Sequence, residues 1–229
     1  MKIITVSREF GSGGRELGKR LADELGFDYY DREIIDVIAH KNGMDPGYVE
    51  KSLEKGAWQT VPLTFKRSFV GPSMAASAKT GLLLEQKKVI ESVAAAGRDC
   101  VIVGRNADVI LEKYSPMNIF VCASMEARIA RCISRSEGEE KVSLRDMENN
   151  IRVIDKNRAR TREMISGKKW GERENYHLTV NTTGWELREL TPAVADFAKR
   201  WFERTKCPFS FRITLPTKSS SASPCPLWR

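Results

Sequence analysis

The chain has only two histidines and five cysteines in 229 residues. Cys100, Cys122, Cys132, Cys207 and Cys225 form no C-x-x-C pair, which argues against a zinc site. His40 and His177 lack the neighbours that a metal site or a triad needs, and they read as structural. Cys100 and Cys122 lie in apolar runs and read as small core residues. Reduced thiols of this kind suit a cytoplasmic protein. No apolar run approaches the roughly 18 residues that cross a bilayer, so no membrane association is expected. Residues 3–6 are too short for the apolar stretch of a signal peptide and run into Arg8 and Glu9, so none is expected.

Acidic charge is scarce where basic charge gathers. Residues 199–229 hold seven Lys and Arg against Glu203 alone, in a chain of net charge +8. The remaining body is close to neutral. A basic tail on such a body is usually solvated, and nucleic-acid binding is not the expected role. Periodicity stops at Lys206, and a Ser- and Pro-rich end follows, so residues 206–229 are expected to be disordered.

What remains is a 41% hydrophobic chain with enough length for one domain over residues 1–205. Strand-like and helix-like segments alternate along it. Residues 3–6, 27–30, Cys100–Val103, 118–122 and 176–181 read as strands. Residues 14–25, 31–41, 82–96, 105–113, 124–136 and 144–165 read as helices, with another opening at Asp45-Pro46. Gly26 is placed to end the first helix, while Ser124 and Ser143 are placed to begin later ones. Thr191-Pro192 is expected to open a final helix with Val194, Phe197 and Trp201 inward. Residues 56–80 show no clear period and read as a loop or insertion. Wholly apolar Cys100–Val103 suits a strand buried on both faces. The pattern predicts an α/β fold, a parallel sheet with helices on both faces.

Residues 3–15, IITVSREFGSGGR, carry the strongest signal. A strand leads through Gly11-Ser12-Gly13-Gly14 into a helix with Leu17, Leu21 and Leu25 on one face. Such a junction offers backbone N–H groups and a positive helix end to phosphate. Three templates compete. The dinucleotide fingerprint G-x-G-x-x-G fails, because Glu16 stands at its third glycine. A literal G-x-x-x-x-G-K string ends at Gly18-Lys19, but it lies inside the leucine-striped helix. A P-loop over Gly11–Arg15 has the right place in the fold, yet no lysine follows its glycines and Glu16 stands near the Mg²⁺-binding hydroxyl position. The missing cation would come from Arg15 or Lys19, with Arg8 behind them. The competing interpretation is a glycine-rich turn that only lets strand and helix pack closely.

Further along, Gly104-Arg105 follows a strand end, where ligands bind in open α/β sheets. Arg128, Arg131 and Arg135 share one helix face at i, i+3 and i+7. Asp155, Arg158 and Arg162 repeat that spacing on the next helix. These stripes, joined by a polar hinge at 136–141, would make a closing lid over about 128–165 that excludes water. Alternatively they are solvated faces with i,i+4 ion pairs. Trp170 and Tyr176 could stack on a base, or belong to the core.

Taken together, SREFGSGGR, Gly104-Arg105, the ASMEARIAR stretch at 123–131 and Asp155-Lys156-Asn157-Arg158 resemble the bacterial cytidylate kinases. They are similar above all to divergent cytidylate-kinase-like proteins that carry S-R-E-F-G-S-G-G-R as their loop. The resemblance covers roughly residues 1–203. It implies a P-loop NTPase-type fold with a helical lid, ATP and Mg²⁺ as cofactors, and small nucleotide substrates, CMP or dCMP becoming the diphosphate. By position it implies that Gly11, Ser12, Gly13, Gly14 and Arg15 bind ATP phosphates. Asp31, Arg32, Arg105, Asp155 and Arg158 would serve the acceptor, and Arg15, Arg128, Arg131 and Arg158 the transfer. No protein metal ligand is assigned. The chain departs from the family pattern at Gly14, where the loop lysine falls, and at Asn106, where an acid follows Gly-Arg. It departs again at Ile151, Arg152 and Lys156 around Asp155. Kinases of another small metabolite, and a nucleotide-sensing module with little turnover, stay open. Nothing in the sequence sets the oligomeric state.

Overall fold

The computed structural model describes residues 1–54, 72–135 and 143–206. Among these, five parallel strands form one sheet: β1 (Ile3–Arg8), β2 (Asp28–Tyr30), β3 (Cys100–Val103), β4 (Met117–Cys122) and β5 (Leu178–Asn181). Their order is β2-β3-β1-β4-β5, with β1 at the centre. The helices are α1 (Gly14–Leu25), α2 (Glu33–Asn42), α3 (Pro46–Glu54), α4 (Pro72–Ala95), α5 (Ala107–Ile110), α6 (Met125–Arg135), α7 (Leu144–Ser166) and α8 (Leu187–Lys206). The expected α/β class with a parallel sheet is what the chain adopts.

Alternation along each strand sends successive side chains to opposite faces. Ile4, Val6, Val101 and Val103 pack with Leu17 and Leu21 of α1 and with Val194, Ala195 and Ala198 of α8. Ile3, Cys100 and Ile102 pack instead with Ile34 and Ile38 of α2, Val49 of α3 and Ile90 of α4. Each fully buried Ile or Leu contributes about 1.5–3 kcal/mol. The expected helix signals act as read. Gly26 takes a left-handed conformation at the end of α1, φ 67°. Asp45, Ser124 and Ser143 accept the N–H groups of Tyr48, Ala127 and Asp146 at 2.8, 3.3 and 3.1 Å.

Four expectations need correction. Helix α4 begins at Pro72, inside the segment read as an insertion. Its first turns are rich in alanine, which favours helix without showing a period. No helix starts at residue 105, because Arg105 and Asn106 have φ of 59° and 54°, so α5 begins only at Ala107. Helix α8 starts at Leu187, leaving Pro192 inside it, where Thr191 Oγ1 donates back to the Leu187 carbonyl at 2.8 Å. Phe197 is exposed while Ala195, Ala198 and Phe202 are buried, since residue 197 lies about 100° around the helix from the inward stripe. The rest of the 56–80 segment, the 136–141 hinge and the tail beyond Lys206 lie outside the described residues.

Helices α6 and α7 are attached differently from the others. In α6 the buried residue is Arg128, and in α7 the buried residues are Ile151, Thr161 and Arg162. Arg162 pairs with Asp108 of α5, both side chains almost wholly buried. Among the described residues, Asp108 Oδ1 and Arg162 Nε have no hydrogen-bond partner, so the pair is incompletely satisfied there. Among the described residues, no helix is long and apolar enough to cross a membrane.

Removing one member of a buried pair strands the other charge, whereas replacing both with apolar side chains does not. Arg162→Met alone is expected to lower the unfolding free energy by about 3–5 kcal/mol, and Asp108→Leu/Arg162→Met to recover most of it. Urea denaturation of the single and double variants measures this. Equal stability for Arg162→Met and the wild type would show that the pair does not anchor α7.

Candidate functional site

Strand β1 ends at Arg8 and the chain turns through Glu9, Phe10, Gly11, Ser12 and Gly13 into α1. Gly11 and Gly13 have φ of 78° and 83°, a region that residues with a side chain rarely enter. Space forbids a side chain as well. A Cβ at Gly11 would lie 2.9 Å from the Arg128 carbonyl oxygen, one at Gly13 2.7 Å from Leu187 Cδ1, and one at Gly14 2.5 Å from Arg8 Cβ. The turn is therefore enclosed by α6, by the start of α8 and by the stem of Arg8. The close-packing interpretation of these glycines is correct as far as it goes. Gly18 serves packing alone: its Cβ would meet Val103 Cγ2 at 2.7 Å. The Gly18-Lys19 string thus lies within α1, with Gly18 buried and Lys19 outside, where it pairs with Asp23 at 2.6 Å.

Four anchors fix the turn. Ser12 Oγ donates to the Glu9 carbonyl at 2.9 Å, and Thr182 Oγ1, just past β5, donates to the Ser12 carbonyl at 2.7 Å. Phe10 N–H donates to Asp155 Oδ1 at 2.9 Å, and Arg128 Nε to the Phe10 carbonyl at 2.7 Å. The Glu9 carboxylate accepts the Ala123 N–H at 3.1 Å and faces Arg128 at 3.4 Å. The first bond inside α1 runs from Leu17 N–H to the Gly13 carbonyl at 2.9 Å. The amides of Gly14, Arg15 and Glu16 thus precede the helical ladder, at the helix end that favours anions.

A cleft of about 400 Å³ opens over this turn, lined by Gly11, Gly13 and Gly14 with Arg8, Arg15, Arg131, Arg135 and Arg158. Glu9 and Glu50 are the acids on its walls, so the lining carries an excess of positive charge. A smaller space of about 60 Å³ adjoins it beyond the ends of β1 and β3, lined among others by Gln86, Gly104, Arg105, Asn157, Thr161 and Trp170. Arg8 and Arg158 line both. Gly104, Arg105 and Asn106 all have positive φ. Such strain in non-glycine residues persists only where the surroundings hold it, and here Gln86 Nε2 donates to the Arg105 carbonyl at 2.9 Å.

The expected residues divide between these walls and their supports. Arg131 reaches Thr182 Oγ1 at 3.0 Å and the Thr182 carbonyl at 2.6 Å. Arg158 donates to the Arg8 carbonyl at 3.1 Å and lies over the Phe10 ring. Arg15 pairs with buried Asp31, which also faces Arg8 at 3.7 Å. Three carried-over residues sit elsewhere than expected. Arg128 is buried and pairs with Asp155. Asp155 therefore spends its oxygens on Arg128 and the Phe10 amide rather than on either cleft. Arg32 is exposed and pairs with Glu50 at 2.9 Å. Arg162, read as part of an arginine stripe, is bound to Asp108. Sequence reasoning missed Glu9, Glu50, Gln86 and Thr182. The strand-end rule that found Arg105 could have found Thr182 as well, whereas Glu50 and Gln86 look like ordinary helix surface.

Burial sets the nearby ionisation. It raises the thiol of Cys132, which lies against Gly11, and so disfavours a thiolate there. The Tyr29 phenol is pushed up to about 12 by burial and by the Asp31 charge. His177 is lowered by burial, and its Nδ1 accepts the Asn118 N–H at 2.8 Å. Trp170 and Tyr176 both pack on Phe120, at 5.4 and 4.9 Å between ring centroids. Among the described residues, no group of three His, Cys, Asp or Glu could hold a metal. Glu9, Glu16, Asp31 and Glu50, the acids around the turn, each face an arginine. Mg²⁺ would fit here as part of a nucleotide complex, held by phosphate oxygens and water.

A model of the cytidylate kinase-like family matches residues 3–184. The chain is 28% identical over 142 residues to the cytidylate kinase of Paramagnetospirillum magneticum, covering 56% of this chain and 67% of that protein. An uncharacterized protein from Eubacterium ventriosum superposes with a TM-score of 0.63 at 20% identity, covering 87% of this chain and 99% of that one. Shikimate kinase from Bacteroides thetaiotaomicron superposes with a TM-score of 0.53 at 12% identity, covering 86% and 98%. The fold is that of the P-loop kinases.

Thr182→Val removes the hydroxyl that Ser12 and Arg131 share and is expected to lower stability by about 1–3 kcal/mol. Thr182→Ser, which keeps the hydroxyl, is expected to stay near wild type. Equal urea midpoints for the valine and serine variants would show that this hydroxyl does not hold the turn.

Proposed function

The chain belongs to the cytidylate kinase-like family, and on that premise we propose that it is a nucleoside monophosphate kinase that transfers the ATP γ-phosphate to CMP, dCMP or a similar acceptor. The observation that carries this reading is the arginine-lined cleft over the opening turn of α1, joined to a second space through Arg8 and Arg158. Phosphoryl transfer asks the protein mainly for positioning and for neutralisation of charge. In this reading the turn's amides and Arg15 take the ATP phosphates, while Arg131 and Arg135 line the outer wall. The acceptor lies beyond Gly104-Arg105. An acceptor oxygen attacks the γ-phosphorus as the bridging P–O bond to ADP breaks. Arg158 sits where both substrates would meet. Arg128 and Asp155 act as positioning residues, because they hold Phe10 rather than line the cleft. ATP brings Mg²⁺, which supplies countercharge to its phosphates.

The narrowness of the second space, about 60 Å³, and the engagement of Asp155 with the turn favour one further reading. In it the acceptor is a small polar metabolite instead of a nucleotide.

A coupled ADP-release assay with CMP, dCMP, UMP, AMP and shikimate-like acceptors separates the two. Turnover is expected with CMP or dCMP. Turnover confined to a non-nucleotide acceptor supports the second reading, and ATP binding without any turnover points to a sensor. Arg158→Ala is expected to reduce kcat/KM for the acceptor by about a hundredfold. Arg15→Ala is expected to weaken ATP binding several-fold by calorimetry. Wild-type kinetics in both variants would remove these assignments.

A further inference from the structure

The sequence leaves one chemical question open: which cation stands in for the missing loop lysine. Lys19 is held outward by Asp23 at 2.6 Å. The Arg15 side chain is about half exposed, so water screens whatever charge it offers. Arg8 differs from both. It is 8% exposed, lines both clefts, and lies at the carboxyl end of the central strand. Its path is fixed at two places. Its stem occupies the space where a Cβ at Gly14 would stand, 2.5 Å from Arg8 Cβ, and its Nη1 lies 1.5 Å from the Cβ that Gly104 lacks. The guanidinium also faces Asp31 Oδ1 at 3.7 Å.

We propose that the Arg8 guanidinium is the cation that stands in for the loop lysine, placed where the two clefts meet with the more exposed Arg15 beside it, and that residue 14 is glycine because residue 8 carries a side chain. The inference rests on the kinase reading above. A Cβ at 14 and a side chain at 8 claim the same volume, so the chain can carry a cation at one of the two positions but not at both. Arginine is the cation suited to this depth, because a guanidinium keeps its charge under burial whereas an ammonium readily loses its proton. Its planar fork can also meet two phosphate oxygens at once. With Arg158 donating to the Arg8 carbonyl at 3.1 Å, two guanidinium groups flank the passage between donor and acceptor.

The test uses the full chain with the best acceptor from the ADP-release assay, ATP affinity by calorimetry, and thermal unfolding as a check of folding. Arg8→Gln is expected to fold and to lose about a hundredfold or more in kcat/KM. In Arg8→Gly, added guanidinium ion at millimolar concentration is expected to restore part of the lost rate, which a merely structural residue would not show. Gly14→Lys alone is expected to disrupt the turn, whereas Arg8→Gly/Gly14→Lys recreates the G-x-x-x-x-G-K order and is expected to exceed Arg8→Gly at least tenfold. Should Arg8→Gln fail to fold, the comparison of Arg8→Gly with and without Gly14→Lys decides. Arg8→Gln within twofold of wild type, or a double variant no better than Arg8→Gly, would overturn the assignment while leaving the kinase reading in place. A wild-type chain that neither binds ATP nor releases ADP would overturn both.

Discussion

Everything at this site depends on how tightly the turn between β1 and α1 is enclosed. Three of its glycines are pressed by three different neighbours: the Arg128 backbone, Leu187 and the stem of Arg8. Each neighbour belongs to a different part of the chain, so the turn registers α6, α8 and the end of β1 against one another. The same enclosure holds the backbone before α1 in place, with the carbonyl of Ser12 accepting from Thr182 and that of Phe10 from Arg128, while the amides of Gly14, Arg15 and Glu16 precede the helical ladder. A phosphate would therefore find donors already oriented, with little backbone reorganisation left to do.

Charge is organised around the turn by the same logic. Five arginines line one cleft, an arrangement that repels itself unless carboxylates are interleaved. Asp31 faces Arg8 and Arg15, Glu9 and Asp155 face Arg128, and Glu16 faces Arg135. These acids fix guanidinium groups in place rather than offer a cage for metal. The contrast with the core is informative. Helices α1 and α8 meet the sheet through leucine, valine and alanine, contacts that salt does not weaken. Helix α6 meets the turn through a buried arginine, so its attachment is made of ionic and hydrogen-bonding groups.

The fold was largely legible because it is written in periodicities. The wholly apolar run of Cys100–Val103 and the Leu17, Leu21 repeat specify a sheet buried on both faces and the helix that covers it. The errors fell where another interaction outweighed local pattern. Arg105 and Asn106 take left-handed conformations that no helical spacing reveals. Pro192 sits within a helix whose first residue, Leu187, lies against Gly13, a contact that local sequence does not reveal. The site was legible as residue types but not as pairings. Spacing put Arg128 and Arg131 on one face of a helix, correctly, yet could not show that one is consumed by Asp155 while the other reaches the cleft wall. Such pairings join positions far apart in sequence, and only the packing of α6 and α7 over the turn brings them together.

Why a side chain at position 8 goes with glycine at position 14 follows from volume before chemistry. A standard loop spends its cation on a flexible side chain at the helix start and keeps glycine at the strand end. Here the side chain stands at the strand end and the glycine at the helix start, and the Gly14 Cβ position is filled by Arg8. The exchange alters the electrostatics. A cation on the central strand is surrounded by sheet and helices of low polarizability, where its field on a neighbouring phosphate is screened far less than that of a half-exposed Arg15. Its placement is also more rigid, because both the stem and the head are confined by residues that lack side chains. A charge that cannot move away has already met the entropic cost of ordering, which is the condition under which a single guanidinium contributes most to a transition state rather than to ground-state binding.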